Sequence, residues 1–140
     1  MKEEMSYFKE ALMAFLEENH PQLFHNNLLV YQRVERAKNA YAESIQEGFD
    51  HIEAEAIANY NLFQGLHFSK FNTIIDVLSN EFENDLPPDQ FELLASQLLP
   101  ECEAVFETFE INDDFAYSPE FDYLYTQLTG TILIWLENEF

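Results

Sequence analysis

Apolar residues recur three and four positions apart along almost the whole chain, a spacing that places them on one face of an α-helix. No segment sustains the alternation of apolar and polar residues that is typical of a half-buried β-strand. The clearest stripes are Met5, Phe8, Leu12, Phe15 and Leu16 in one segment, and Phe71, Ile74, Ile75, Leu78 and Phe82 in another. The pattern therefore predicts an all-α fold.

Residues that start and end helices divide this pattern into six or seven helices. The first is expected to end at Asn19, because a His-Pro pair follows and the residue before a proline is pushed out of helical geometry. Gly48 is expected to end the second helix in a left-handed conformation. Asp50 and Ser69 are expected to cap the third and fourth. Pro100 either breaks the fifth helix or starts a sixth, so the count stays open.

The chain has the size and composition of one domain. Its 140 residues are 47% hydrophobic and include 14 Phe, 7 Tyr and 1 Trp, which is enough material for one core. The main interior break, residues 84–88, is short and contains Leu86, unlike a flexible linker. Residues 1–140 are therefore predicted to form a single compact multi-helix domain.

Charge is the strongest compositional signal. The chain carries 27 acidic and 6 basic residues, a formal net charge of -21, and residues 71–140 contain no Lys or Arg at all. Such a field repels nucleic-acid phosphates and anionic lipids, so neither direct nucleic-acid binding nor membrane binding is expected. The expected partner is a basic protein or a second copy of the chain, as in a homodimer.

The single cysteine, Cys102, cannot form an internal disulfide, and the start of the chain lacks the pattern of a secretory signal. No apolar stretch approaches the roughly 20 residues that a bilayer-spanning helix needs. These features predict a cytoplasmic protein.

The histidines do not complete a metal-binding pattern. Glu17 and His20 form one Glu-x-x-His pair, but the carboxylate-bridged di-iron bundles need two. His51 and Glu53 have the spacing found in zinc deaminases, which also need a Cys-x-x-Cys that a chain with one cysteine cannot supply. With only 3 glycines, a phosphate-binding loop is excluded as well. No catalytic, cofactor-binding or metal-binding residue is therefore assigned, and no cofactor is expected.

Asp113 and Asp114, next to two aromatic residues, allow a different interpretation. With a histidine they could form the acid–base pair or cation site of a small enzyme or metal-binding protein. They could equally be turn and cap residues, a role that aspartate favours because it hydrogen-bonds the local backbone. The turn role is the simpler of the two, and an enzymatic activity is not expected.

An acidic and aromatic segment near the C-terminus is the best candidate for a binding surface. Glu103, Glu107 and Glu110 recur at helical spacing on the side away from the predicted core, and Tyr117 and Tyr123 lie outside the inward stripe. Tyrosine in such positions is enriched at protein interfaces. The predicted interaction surface comprises seven residues: Glu103, Glu107, Glu110, Asp113, Asp114, Tyr117 and Tyr123.

Two functions compete for this surface. The leading hypothesis is a non-enzymatic cytoplasmic protein-interaction module with an acidic surface. The alternative is a DNA mimic, an inhibitor of the anti-restriction type whose carboxylates replace phosphates and occupy a DNA-binding protein.

Four stretches of the sequence carry a family resemblance: GLHFSKF at 65–71, VLSNEF at 77–82, LLPECEAVF at 98–106 and DDFAYSPEFDYLYTQLTGT at 113–131. Across residues 6–137 the chain resembles an uncharacterised family of small acidic helical proteins from Bacteroidetes, classed as a domain of unknown function. Members of that family often occur in conjugative elements, so the resemblance implies an accessory role in the cytoplasm. Because the family has no assigned activity, it implies no site residues.

Overall fold

The protein is described by a computed structural model that covers residues 2–139, with side chains from Tyr7 onward. Within this part the chain contains helices and loops and no β-strand, which confirms the all-α prediction. Its six α-helices are α1 (Lys2–Asn19), α2 (Asn27–Gln46), α3 (His51–Phe63), α4 (Lys70–Glu81), α5 (Phe91–Phe106) and α6 (Glu120–Glu139). Met5, an expected member of the inward stripe of α1, lies outside the residues whose side chains are described.

Local sequence signals set the helix ends as predicted. The Asp50 carboxylate accepts a hydrogen bond of 2.8 Å from the backbone N–H of Glu53, and so caps α3. The Ser69 hydroxyl accepts one of 2.9 Å from the backbone N–H of Asn72 and caps α4. Gly48 follows α2 with a φ of 98°, in the left-handed region that glycine adopts without steric cost.

Pro100 neither breaks α5 nor starts a new helix. The helix runs without interruption from Phe91 to Phe106, so the described residues contain six α-helices and not seven. A proline inside a helix removes one backbone N–H, here the donor for the carbonyl of Ser96. The nearby residues Leu98 and Cys102 are fully buried, and their packing outweighs the lost hydrogen bond.

The chain divides into two compact units, Met1–Leu66 and His67–Phe140, here called the N-terminal unit and the C-terminal unit. Each unit has its own cluster of buried apolar residues. That the two units form one domain, as expected from the sequence, stays a prediction.

In the N-terminal unit, α2 packs against both α1 and α3. Its core consists of Phe8, Leu12, Leu16, Val30, Val34, Ala37, Ala58, Leu62 and Leu66. Two polar side chains close the end of this bundle. His20 is 5% exposed, and its Nε2 donates to the carbonyl oxygen of Leu66 over 2.7 Å. Arg33 donates to the carbonyl oxygens of Leu62 and Gln64 at the C-terminal end of α3, where a cation is favoured by the helix dipole.

In the C-terminal unit, α4, α5 and α6 pack against one another. Aromatic and aliphatic side chains from all three helices and from the connecting loops form its core: Phe68, Phe71, Ile74, Val77, Leu78, Phe82, Phe91, Leu94, Ala95, Leu98, Leu99, Cys102, Phe106, Phe115, Leu124, Leu128 and Ile132. The loops before and after α5 pack against this core. A concave surface lies beside each of these loops. No helix in the described part of the chain is both long enough and apolar enough to span a membrane.

Candidate functional site

The seven residues of the predicted interaction surface lie in one continuous segment of the C-terminal unit. The segment comprises the end of α5, the loop that follows it and the first turn of α6. The structure gives these residues different surroundings, so they do not all remain available to a partner.

Glu103 takes part in a contact inside the C-terminal unit. Its Oε1 lies 3.2 Å from the Nζ of Lys70, and both side chains are partly exposed. The same ammonium group lies 5.4 Å from the centre of the Phe106 ring, within the range of a cation–π contact. Lys70 is the only Lys or Arg in residues 67–140. Glu103 therefore joins α5 to the start of α4.

Asp113 and Asp114 hold the loop in shape. Asp113 Oδ1 accepts a hydrogen bond of 3.0 Å from the backbone N–H of His67, which joins the loop to the segment before α4. The backbone N–H of Asp114 donates to the Oδ1 of Asn112 over 3.0 Å, an Asx-type turn. Among residues with described side chains, no group of three or more His, Cys, Asp or Glu is placed to hold a metal ion.

The other members of the predicted surface face solvent. Glu107, Glu110 and Asp114 are exposed. Tyr117 is 89% exposed and Tyr123 is 67% exposed. These fractions are far larger than that of a tyrosine packed in a core. These five residues keep their side chains accessible to a partner.

A cleft of about 390 Å³ opens beside this segment. We call it the acidic cleft and define it by its lining residues: Thr108, Phe109, Glu110, Asn112, Phe115, Ser118 and Glu120. Two acidic residues, Glu110 and Glu120, and two aromatic residues, Phe109 and Phe115, are among these lining residues. Carboxylates beside an aromatic surface are suited to the side chain of a lysine or arginine, which has a cationic head and an apolar stem.

The aromatic part of the acidic cleft is fixed by packing. The Phe115 ring is buried and lies edge-on to Phe109, with ring centres 5.8 Å apart, and to Phe68, with ring centres 5.3 Å apart. The Ser118 hydroxyl donates to the Phe115 carbonyl oxygen over 2.7 Å. A ligand that enters the cleft would therefore meet a largely preformed surface, which lowers the entropic cost of binding.

A second concave surface, of about 380 Å³, was not predicted from the sequence. We call it the apolar groove; its lining residues are Phe82, Asp85, Leu86, Pro87, Gln90, Leu133, Leu136 and Glu137. The sequence did contain a signal for it. Residues 132–136 are five apolar residues in a row, which is more than one face of a helix can bury. Leu133 and Ile134 accordingly remain exposed.

Cys102 is not placed for nucleophilic chemistry. Its side chain is fully buried, and desolvation, together with the negative charge of Glu101, raises the pKa of the thiol to about 11. Because the thiolate is the reactive form, the group is inert at neutral pH.

These features define the class: an all-α protein whose C-terminal unit presents an acidic cleft and an apolar groove. The chain belongs to the family described as Domain of unknown function (DUF1896), whose model matches residues 1–140. This confirms the expected membership of a family without an assigned function. A solved structure, the crystal structure of protein PG0816 from Porphyromonas gingivalis, is similar to this chain. It is 41% identical, covers 99% of this chain and 94% of that chain, and superposes with a TM-score of 0.94.

No curated protein matches the sequence. Neither the family description nor the name of the solved relative states an activity. That relative comes from a member of the Bacteroidetes, the group indicated by the sequence resemblance.

Proposed function

We propose that the protein is a non-enzymatic interaction module that binds a basic protein through its C-terminal unit. The observation that carries the proposal is the acidic cleft, whose lining residues include Glu110 and Glu120 together with Phe109 and Phe115. Tyr117 lies in the chain between two lining residues of this cleft and is almost fully exposed.

The cleft supports this function because its two kinds of group act on one ligand side chain. A lysine or arginine in the cleft would pair with a carboxylate and also contact the partly exposed ring of Phe109, the latter contact worth about 0.5–2 kcal/mol depending on desolvation. Tyr117 and Tyr123 add large side chains of a type that is enriched at interfaces and loses little conformational entropy on binding.

Charge supports the choice of a basic partner. Residues 67–140 contain 16 acidic residues and one lysine, so their net charge is 1 − 16 = -15. A field of this size attracts a basic surface over a distance, and accelerates association at low ionic strength. It would repel nucleic acid and anionic lipid directly.

We further propose that this binding takes place in the cytoplasm, as an accessory function of a conjugative element. The single buried thiol fits a reducing compartment, and the conjugative element is what the sequence resemblance implies. Growing the native host with and without the element and comparing protein levels would test the second point.

The proposed function can be tested by affinity capture from the native host with variants of the full chain. The double variant Glu110→Gln, Glu120→Gln removes both cleft carboxylates with little change in shape. The matched control, Glu17→Gln with Glu18→Gln, removes the same charge from exposed positions in α1. Proteins on the captured beads would be quantified by mass spectrometry.

We expect a basic protein to be captured by the wild type and by the control, and about five- to tenfold less by the cleft variant, as expected from two partly exposed ion pairs. Equal capture by all three forms, or capture that follows total charge alone, would contradict the use of the cleft. Tyr117→Ser provides a second, uncharged probe of the same surface.

A further inference from the structure

The apolar groove lies on a different part of the C-terminal unit from the acidic cleft, with which it shares no lining residue. One side is formed by the last turns of α6, where Leu133 is 46% exposed and Leu136 is half-buried. The other side is the segment between α4 and α5, with the buried ring of Phe82 and the half-buried Leu86. Two leucines one turn apart on α6 thus face a recess lined by further apolar groups.

The volume of the groove is sufficient for apolar side chains of a partner helix. Its volume of about 380 Å³ lies in the range of pockets that hold small ligands, roughly 300–1,000 Å³, which gives room for more than one apolar side chain. Grooves of this kind accept the apolar face of an amphipathic helix through residues spaced three or four positions apart.

The charge around the groove indicates which kind of partner it can bind. Asp85 and Glu137 lie among the lining residues, and Glu83, Asp89 and Glu139 are exposed neighbours in the chain. No Lys or Arg occurs in residues 71–140 to balance them. A second copy would bring an equally acidic surface against this one, and an anionic membrane would be repelled. A helix with lysines or arginines beside its apolar face is complementary to the groove in both its apolar surface and its charge.

We propose that the apolar groove docks an amphipathic helix of a basic protein, with apolar residues against Leu133 and Leu136 and with Lys or Arg beside Asp85 and Glu137. This inference rests on the proposed function, that the partner is a basic protein. It adds a second site and assigns the partner a helical, amphipathic segment.

The chain carries its own reporter for this site. Trp135 is the only tryptophan and lies in the same turn of α6 as Leu133 and Leu136. Its ring is half-buried and packs against the core of the C-terminal unit. Occupation of the groove should therefore change the tryptophan emission of the full chain.

The probe is a synthetic peptide of about five helical turns, free of tryptophan, with Leu at helical spacing on one face and Lys on the other. The control peptide has the same composition in an order that scatters the leucines. Both are titrated into the full chain, with tryptophan emission and calorimetry as readouts. We expect the amphipathic peptide to bind at least about tenfold more tightly than the scattered one, and more weakly as salt is added.

The decisive variant is Leu133→Glu, which removes an apolar contact and adds a negative charge. If attraction of charges alone held the peptide, this variant would bind it more tightly. We expect binding about tenfold weaker, as for loss of one leucine contact. Leu28→Glu is the matched control, because Leu28 is 66% exposed and lies in the N-terminal unit. Leu133→Ala, which introduces no charge, serves if Leu133→Glu lowers the cooperativity of thermal unfolding.

Four results would overturn the groove as a helix-docking site. Equal binding of the two peptides would do so, and so would unchanged binding by both Leu133 variants. A wild-type dimer that Leu133→Glu converts to a monomer would show instead that the groove joins two copies. Peptide binding that resists the Leu133 variants but is lost with Glu110→Gln and Glu120→Gln would reject the groove while supporting the acidic cleft.

Discussion

At the scale of single residues, the buried His20 joins the end of α1 to the end of the N-terminal unit through one hydrogen bond. His20 Nε2 donates to the carbonyl oxygen of Leu66 across 46 positions of sequence. The sequence indicates only that a helix ends beside His20, because the proline that follows it is a local signal. The partner carbonyl is brought in by tertiary packing, so neither the burial of His20 nor its hydrogen bond could be predicted.

We expect His20→Ala to lower the free energy of unfolding by about 1–3 kcal/mol, because the buried carbonyl of Leu66 loses this donor. Urea unfolding followed by circular dichroism measures the change. His25→Ala is the control: His25 is exposed, so its loss should alter the free energy by no more than about 0.5 kcal/mol. Equal effects of the two substitutions would show that the hydrogen bond contributes nothing.

A second residue-scale prediction concerns the thiol. Burial raises the pKa of Cys102 to about 11, so the folded protein should react with a disulfide reagent at pH 8 far more slowly than the protein in urea. The reagent's absorbance follows the reaction, and its rate should rise in parallel with unfolding. A fast reaction of the folded form would mean that the C-terminal unit opens locally around α5.

At the scale of helices, two glycines with different backbone conformations allow a matched comparison. Gly130 lies within α6 without a positive φ, whereas Gly48 follows α2 with a φ of +98°. An added Cβ would meet no described atom within 4 Å at either position. The same substitution therefore tests backbone conformation alone.

We expect Gly130→Ala to raise the free energy of unfolding by about 1 kcal/mol, because alanine favours a helix interior. Gly48→Ala should lower it by roughly 1–2 kcal/mol, because a Cβ is strained in the left-handed region. Thermal unfolding of both variants gives the two signs. A loss of stability in Gly130→Ala would indicate a close approach at α6 that involves a partner or another part of the chain.

The contrast between α4 and α5 shows how far the sequence determines the fold. The start of α4 was predictable because Ser69 and its hydrogen-bonding partner are three residues apart. The continuity of α5 through Pro100 was not, because the buried contacts of Leu98 and Cys102 decide it and they involve residues distant in sequence. The apolar groove eluded prediction for the same reason: it arises where α6 meets the segment between α4 and α5.

That the acidic and aromatic segment binds a partner stays a prediction, and the structure shows only which of its side chains are exposed. The acidic and aromatic segment indeed contains the exposed side chains of Glu107, Glu110, Tyr117 and Tyr123. That Glu103 pairs with Lys70 depends on the packing of α4 against α5, which a helical period does not reveal. Glu120 was missed because it follows Pro119 at a helix start, where an acidic residue is common for reasons of the helix dipole alone.

At the scale of the whole molecule, the excess of negative charge should oppose folding. With a net charge of -21, carboxylates that lie far apart in the unfolded chain are brought close together in the folded one. We expect the Tm to rise by several degrees as sodium chloride increases from about 0.01 to 0.5 M, since the Debye length falls from about 30 Å to a few ångströms. A triple variant, Glu107→Gln, Glu110→Gln and Asp114→Asn, should have a higher Tm at low salt and a weaker dependence on salt.

One carboxyl group, that of Asp76, should make the stability of the protein depend on pH. Desolvation raises the pKa of Asp76 in the folded state, so its charged form is disfavoured there. Its contribution to stability is therefore greatest below the unfolded value of about 3.8 and is lost as pH rises through the higher folded value. Asp76→Asn should accordingly unfold at a higher temperature than the wild type at pH 7. A lower Tm at pH 7 would show that the ionised carboxylate makes a stabilising contact.

The single lysine of the C-terminal unit also determines how trypsin, which cuts after Lys and Arg, can attack it. Residues 71–140 offer no cleavage site, so a complete digest should release them as one peptide. The only cut that can produce this peptide is at Lys70, whose ammonium group is paired with Glu103. The rate at which the fragment appears from the native protein thus measures how often α4 opens at its first residue, and Glu103→Gln should release it faster.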